Sequence, residues 1–149
     1  MGGPGAGRRE AATADPSKLN GVTLVLDAGA LSALAGQRAR LRELLQRGLW
    51  PAQVPAVVLS EALTGDHRRD FHTNRLLRSC QIRDVDETRA REAARLRTAT
   101  GRAGTISAVD AVVAAHAGGH PNTVVLTTDP VDMRALAEHT TMPITVVAM

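Results

Sequence analysis

Hydrophobic residues in this chain form short apolar runs that alternate with stretches of helical periodicity. The run VTLVLD (22–27) is apolar on both faces, which is typical of a strand buried in a parallel sheet. In QRARLRELLQRGL (37–49), leucines recur on one helical face and arginines on the other. The same criteria predict strands at 53–54, 81–85, 123–128 and 144–149, and helices at 56–64, 72–79, 86–100, 107–117 and 131–139. Strands alternating with helices predict an α/β sandwich with a mainly parallel sheet.

The first twenty residues differ from the remainder in composition. MGGPGAGRREAATADPSKLN has basic residues but no apolar core, so we interpret 1–20 as a disordered leader or tag rather than a signal peptide. The domain is expected over 21–149. No apolar run approaches the roughly 18 residues of a membrane span. The single cysteine, Cys80, excludes an internal disulfide framework, and the predicted location is the cytoplasm, with no membrane partner.

The charge of the chain is moderately basic. The formal net charge is +3, and almost every cation is an arginine. The planar guanidinium suits phosphate contacts, which favours a nucleic-acid partner. A high-GC genome also supplies arginine and explains the composition equally well. Charge alone therefore does not decide the function.

Four carboxylates stand at the end of, or inside, strongly apolar runs: Asp27, Glu61, Asp110 and Asp129. Burial of an ionised carboxylate is costly unless it is paired or bound to a metal. Because right-handed crossovers place all strand carboxyl ends at one sheet edge, Asp27 and Asp129 are expected to meet there. Glu61 and Asp110 lie on predicted helices that could lean over that edge. Such oxygen ligands suit Mg²⁺ or Mn²⁺, which can activate water against a phosphodiester.

Each aspartate of the four also has a purely structural explanation. Asp129 precedes a proline, the order of an N-cap followed by proline in the first helical position. Asp110 follows Ser107 at the spacing of a capping box, and Asp27 could cap a helix after its strand. Glu61 has no such explanation, since its neighbours are apolar. A cap explains each aspartate taken singly, whereas the set of four in this order favours a functional site.

Four stretches together resemble the PIN domain family, and within it the VapC-type toxins of bacterial toxin–antitoxin pairs: VLDAGALSAL, PAVVLSEAL, TISAVDAVVAAHA and VVLTTDPVDMRAL. The resemblance implies a three-layer α/β/α sandwich and an Mg²⁺- or Mn²⁺-dependent endoribonuclease that cleaves tRNA, rRNA or mRNA with metal-activated water. It also implies a homodimer and a cognate VapB-like antitoxin, whose tail enters the acidic groove.

The acidic residues match the family pattern position by position. Asp27, Glu61 and Asp110 match three nearly constant acidic positions, and Asp129 matches a more variable fourth. The resemblance thus implies catalytic roles for all four. It implies metal binding by Asp27, Asp110 and Asp129. A further acid, Asp132, is either an outer member of the site or a first-turn helix charge.

The sequence departs from the family pattern two residues after the first aspartate. Family members usually carry Ser, Thr or Asn there, and this chain has Gly29. Loss of that polar side chain predicts weaker metal binding. It also keeps open an alternative function, that of a catalytically weak or inactive PIN-like domain that binds RNA or protein without cutting.

A basic segment follows the Glu61 helix. GDHRRDFHTNRLLRS (65–79) carries Arg68, Arg69 and Arg75 around Phe71. Basic residues beside an aromatic ring are typical of single-stranded RNA contacts, so these three arginines are the predicted substrate-binding residues. An ordinary solvent-exposed helix face explains them equally well.

Overall fold

The computed structural model describes residues 21–149 and places them in an α/β/α sandwich around one parallel sheet. The predicted leader, residues 1–20, lies outside the described residues. The strands are β1 (Thr23–Leu26), β2 (Gln53–Pro55), β3 (Gln81–Arg83), β4 (Thr123–Thr127) and β5 (Ile144–Ala148). The helices are α1 (Ala28–Ala35), α2 (Arg38–Gln46), α3 (Leu59–Ala62), α4 (Phe71–Leu77), α5 (Glu87–Ala99), α6 (Ala108–Ala117) and α7 (Pro130–Ala137).

The sheet confirms the predicted fold class. Its four strand pairings are parallel and follow the order β3-β2-β1-β4-β5. The chain moves outward from β1 to β3 and then crosses to the other side of β1. The carboxyl ends of β1 and β4 therefore flank a topological switch point, where ligands bind in open α/β sheets. At the centre, Val25 lies opposite Val125, and both side chains are fully buried.

The helices pack in two groups, and both groups contact the sheet. Helix α1 packs on α2, α3 and α4, whereas α5, α6 and α7 pack on one another. Right-handed crossovers place these groups on opposite faces of the sheet. Helix α6 is buried all round from Ala111 to Ala117, because its small alanines allow neighbouring elements to approach closely. Within residues 21–149, none of the helices combines the length and the apolar character needed to cross a membrane.

Helix α1 is absent from the helices predicted by periodicity. Its sequence, AGALSALA, has no polar face, so the amphipathic pattern that marks a surface helix does not arise. The helix is an interior one, with Ala30, Leu31 and Leu34 buried. Only the expected capping role of Asp27 pointed to it.

The single helix predicted over 56–64 is wrong. The structure has a 3-10 turn over Ala56–Val58 followed by the short helix α3, and Leu63 is already extended. The cause lies further along the chain, in the buried Asp70. Its carboxylate accepts hydrogen bonds from the backbone N–H groups of Thr64 (2.9 Å) and Gly65 (2.8 Å) and from the Thr64 hydroxyl (2.9 Å). These bonds draw the chain out of the helix before residue 64.

Candidate functional site

Asp27 lies at the carboxyl end of β1 and is only 3% exposed. As the N-cap of α1, its Oδ1 accepts a hydrogen bond from the backbone N–H of Ala30 at 2.7 Å, which confirms the capping role. The Thr127 hydroxyl donates to Oδ2, and the backbone N–H of Thr128 also donates to this carboxylate. Burial raises the pKa of Asp27, the hydrogen bonds oppose that rise, and the nearby Asp129 charge adds to it. The carboxylate is thus held in one orientation between β1 and β4.

Asp110 lies in the first turn of α6, where the Ser107 hydroxyl accepts a hydrogen bond from its backbone N–H at 3.0 Å. This is one half of the expected capping box. Within residues 21–149 no donor bonds the Asp110 carboxylate in return. Burial and, to a lesser extent, the charges of four neighbouring carboxylates together raise the pKa of Asp110 to about 6. These neighbours are Asp27, Glu61, Asp129 and Asp132.

The structure therefore brings the other three predicted acids, together with Asp132, around Asp110. We call these five residues, Asp27, Glu61, Asp110, Asp129 and Asp132, the acidic cluster. It lies where β1 and β4 end, at the switch point of the sheet.

Asp129 and Asp132 both belong to the start of α7. Asp129 is its N-cap and accepts a 3.4 Å hydrogen bond from the backbone N–H of Asp132, with Pro130 in the first helical position, as expected. The backbone N–H of Asp129 donates to the Thr127 hydroxyl at 2.9 Å. Carboxylate oxygens of Asp110, Asp129 and Asp132 all lie within 4.8 Å of one another. The sequence prediction had named Asp27, rather than Asp132, beside the other two as a metal ligand.

The donor set fits a hard divalent cation. Three carboxylates are the type of ligand that Mg²⁺ and Mn²⁺ prefer. Oxygens on opposite sides of an octahedral Mg²⁺ lie about 4.2 Å apart, since each bond is about 2.1 Å long. Adjacent oxygens lie about 3.0 Å apart, so a group spread over as much as 4.8 Å would draw together on binding one ion. A bound cation would also offset the repulsion that raises the pKa of Asp110.

Two of the four predicted acids are exposed, although they stand in or at the end of apolar runs. Glu61 is exposed on α3, next to the exposed Ser60. Asp129 is exposed at the start of α7. The apolar residues of these runs, such as Val58 and Leu126, are buried in the core, whereas the carboxylates themselves face solvent.

Gly29 permits a close approach between α1 and the segment after β4. A Cβ atom added to Gly29 would lie 1.8 Å from the Thr128 hydroxyl oxygen and 2.9 Å from the Thr128 Cβ. Rotation of the threonine side chain does not relieve the second contact. The space that a side chain at position 29 would fill is therefore taken by the hydroxyl-bearing side chain of Thr128.

This contact predicts that Gly29→Ala destabilises the protein by about 1–3 kcal/mol, the usual cost of overpacking, although alanine is the better helix former. Urea unfolding measures the change. Gly36→Ala is the matched control, because a Cβ there meets only one backbone oxygen, at 3.8 Å. In the double variant Gly29→Ala/Thr128→Gly, the free energy of unfolding should be higher than the sum of the two single-variant effects predicts. Strict additivity would show that the contact is not the cause.

The predicted substrate-binding arginines lie outside the acidic cluster. Arg68 and Arg69 belong to the exposed turn before α4, where their backbone N–H groups donate to Asp66. Arg75 is exposed on α4. Among the described residues, none of the three pairs with an acid of the cluster. The arginine that does so is Arg102, whose Nη2 lies 2.5 Å from Oδ1 of Asp132. Neither periodicity nor spacing marked it.

Comparisons with known proteins agree with the fold. The family model of the PIN domain matches residues 24–138. DNA-bound VapBC from Salmonella typhimurium is similar over 85% of this chain and 98% of that one, with a TM-score of 0.65 and 18% identity. PAE2754 from Pyrobaculum aerophilum is similar over 84% of each chain, with a TM-score of 0.56 and 20% identity. FitAcB from Neisseria gonorrhoeae is similar over 83% of this chain and 96% of that one, with a TM-score of 0.54 and 20% identity. No curated protein sequence matches the chain significantly.

Proposed function

Because this chain belongs to the PIN domain family, we propose that it is a cytoplasmic Mg²⁺- or Mn²⁺-dependent endoribonuclease and the toxin of a VapBC-type toxin–antitoxin pair. The observation that supports the proposal most is the convergence of four carboxylates on that of Asp110 at the sheet's switch point. We take residues 21–149 as the catalytic domain. It contains the whole matched range, 24–138.

The metal would be held by Asp110, Asp129 and Asp132, with Asp27 beside them. The chemistry that a bound ion supplies is charge stabilisation at the phosphodiester and a lowered pKa of the attacking water. Asp27 is kept in place by its hydrogen bonds to Ala30 and Thr127, so it adds a fixed negative charge. Glu61, an exposed member of the cluster, can accept a proton from solvent water, as a general base must.

Proton release should accompany metal binding. The pKa of Asp110 is about 6, so this carboxylate is partly protonated in mildly acid solution. A cation that binds it must displace the proton. We therefore expect metal affinity, and with it cleavage activity, to fall as the pH is lowered below 6.

The partner side of the proposal comes from similar structures. VapBC from Salmonella typhimurium was solved bound to DNA, and FitAB was solved bound to the IR36 DNA fragment. By analogy we propose a VapB-like antitoxin that binds this chain, and a homodimer of the chain itself. Mass measurement of the purified protein, alone and with the product of a neighbouring short gene, tests both.

The alternative, an inactive RNA- or protein-binding module, was based on Gly29. The hydroxyl of Thr128 lies in the space of the missing side chain, so a polar group is present there despite the glycine. This observation favours the nuclease over the binding module.

The decisive experiment is cleavage of RNA by the purified protein. We expect Mn²⁺ or Mg²⁺ to support cutting of at least one RNA in a panel that includes tRNA and rRNA, and we expect EDTA to stop it. Mn²⁺ should also raise the melting temperature, since a ligand that binds only the folded state stabilises it. Binding of Mn²⁺ without cleavage of any RNA would favour the non-catalytic module.

A further inference from the structure

We propose that Arg102 binds a backbone phosphate of the RNA substrate, and that Asp132 holds its guanidinium beside the acidic cluster. The proposal rests on the nuclease function proposed above and assigns the substrate contact within that site. It places the phosphate contact on the loop before α6, and not on Arg68, Arg69 or Arg75.

The first observation is the position of the guanidinium. Nη2 of Arg102 lies 2.5 Å from Oδ1 of Asp132, and Asp132 belongs to the group of ligand oxygens within 4.8 Å of one another. Arg102 is thus one ion pair away from the candidate metal position. A guanidinium has five N–H donors in a planar fork that matches phosphate oxygens. Asp132 uses a single Nη2 contact, and the Arg102 side chain is 44% exposed, so donors remain available to a ligand.

The second observation is the electrostatics of the site. The acidic cluster contains five carboxylates, whereas Arg102 is the one arginine among residues 21–149 that pairs with any of them. A polyanion approaching carboxylates is repelled unless fixed cations accompany them. A positive side chain at the edge of the cluster supplies an attractive contact for RNA phosphate at that place.

The third observation is the way the loop is held. The backbone carbonyl of Arg102 accepts hydrogen bonds from the N–H groups of Thr105 (2.9 Å) and Ile106 (3.0 Å). Arg97 on α5 anchors the same loop, with Nε donating to the carbonyl of Ile106 at 3.0 Å and Nη2 to that of Ala103 at 2.7 Å. Ile106 is buried, and the next residue caps α6.

This arrangement separates the side chain of Arg102 from the task of folding the loop. The loop is fixed by its own backbone bonds and by Arg97, so the Arg102 guanidinium is not needed to close it. A preorganised donor loses little conformational entropy when it binds a ligand. The geometry is that of a substrate-binding residue whose guanidinium is positioned by Asp132.

The test compares Arg102→Ala and Arg102→Lys with wild type and with Arg91→Ala. Arg91 is a matched control, because it is an exposed arginine paired with Glu87 at 2.9 Å, on α5. Binding of a fluorescein-labelled single-stranded RNA is measured by anisotropy in Ca²⁺ over a series of KCl concentrations. Mn²⁺ affinity is measured by calorimetry without RNA.

We expect Arg102→Ala to weaken RNA binding about tenfold, the effect of one lost charge-assisted contact. The slope of log K against log salt should fall by about 0.7, the value for one phosphate contact on a single strand. Mn²⁺ should bind equally well or more tightly, since Asp132 loses a competing cation. Arg102→Lys should keep the salt slope and recover part of the affinity.

Three results would overturn the inference. The first is an RNA affinity of Arg102→Ala equal to that of Arg91→Ala, and the second is an unchanged salt slope in Arg102→Ala. The third is a weaker Mn²⁺ affinity in Arg102→Ala, which would mark a purely structural role for Arg102. Absence of RNA binding by wild type overturns it too. Failure of the nuclease function is distinct, because it appears as absent cleavage in Mn²⁺ while the RNA binding and its dependence on Arg102 persist.

Discussion

Asp110→Asn is expected to lower RNA cleavage by at least about a hundredfold. Replacing a residue that only supports a metal ligand typically costs about 10–100-fold in metal affinity or activity, and Asp110 is proposed to bind the metal directly. Asparagine has almost the shape of aspartate but lacks the charge that a cation requires. The variant should still fold, because the cap of α6 uses the backbone N–H of residue 110 and not its carboxylate. Residual cleavage above a tenth of wild type would contradict a ligand role for Asp110.

The same substitution should make the protein more stable in EDTA at pH 7. The folded pKa of Asp110 is about 6, above its ordinary value of 3.8, so folding penalises the ionised form. The penalty is complete above pH 6, shrinks as the pH falls through 6 and vanishes near pH 4. Allowing for solvent screening of a half-exposed group, we expect a gain of about 1 kcal/mol at pH 7.

This gain must be measured as the difference between variant and wild type. The pKa of buried His116 is lowered to about 4, so its contribution to stability is lost as the pH falls from 6.5 towards 4. That trend opposes the trend of Asp110 in the same pH range and masks it in wild type alone. Urea unfolding of both proteins from pH 4 to 8 separates the two. Asp84→Asn, which removes an exposed carboxylate after β3, should leave the unfolding midpoint unchanged.

Asp27→Ala is expected to lose cleavage and stability together. The change removes the N-cap of α1 and leaves the Ala30 and Thr128 N–H groups and the Thr127 hydroxyl without their acceptor. The burial cost of the carboxylate is recovered, which offsets part of the loss. We expect a net destabilisation of about 2 kcal/mol and at least about a hundredfold slower cleavage. Urea unfolding and cleavage assays well below the melting temperature measure the two effects.

Asp86→Ala is the matched control for the capping role. Asp86 caps α5, where its carboxylate accepts a 2.8 Å hydrogen bond from the backbone N–H of Arg89, and it lies outside the acidic cluster. Loss of this cap should cost about 1 kcal/mol without affecting cleavage. Cleavage by Asp27→Ala at the rate of Asp86→Ala would reduce Asp27 to a cap alone.

Two kinds of information came from the sequence alone. Buried parallel strands are apolar on both faces, so β1 and β4 were visible as unbroken apolar runs ending in aspartates. The alternation with amphipathic helices then predicted the sheet edge at which Asp27 and Asp129 meet. These are local patterns that need no knowledge of distant contacts.

Such local patterns predict neither helix α1 nor the place where helix α3 ends. A buried helix shows no polar face, so AGALSALA carries no periodic signal. The end of α3 depends on Asp70, whose carboxylate takes the N–H groups of Thr64 and Gly65. Local helix propensity does not include hydrogen bonds from a residue later in the chain, such as Asp70, that compete with the helix for these N–H groups.

Residue spacing along the chain was sufficient to predict the order of the five strands and to identify four of the acids in the cluster. Three further features depend on contacts in the folded protein: Asp132 completes the group with Asp110 and Asp129, Thr128 fills the space beside Gly29, and Arg102 pairs with the cluster. The residues that form these contacts are far apart in the sequence. The hydrogen bond between Asp27 and Thr127 spans 100 residues, and such contacts exist only once the sheet has brought the ends of β1 and β4 together.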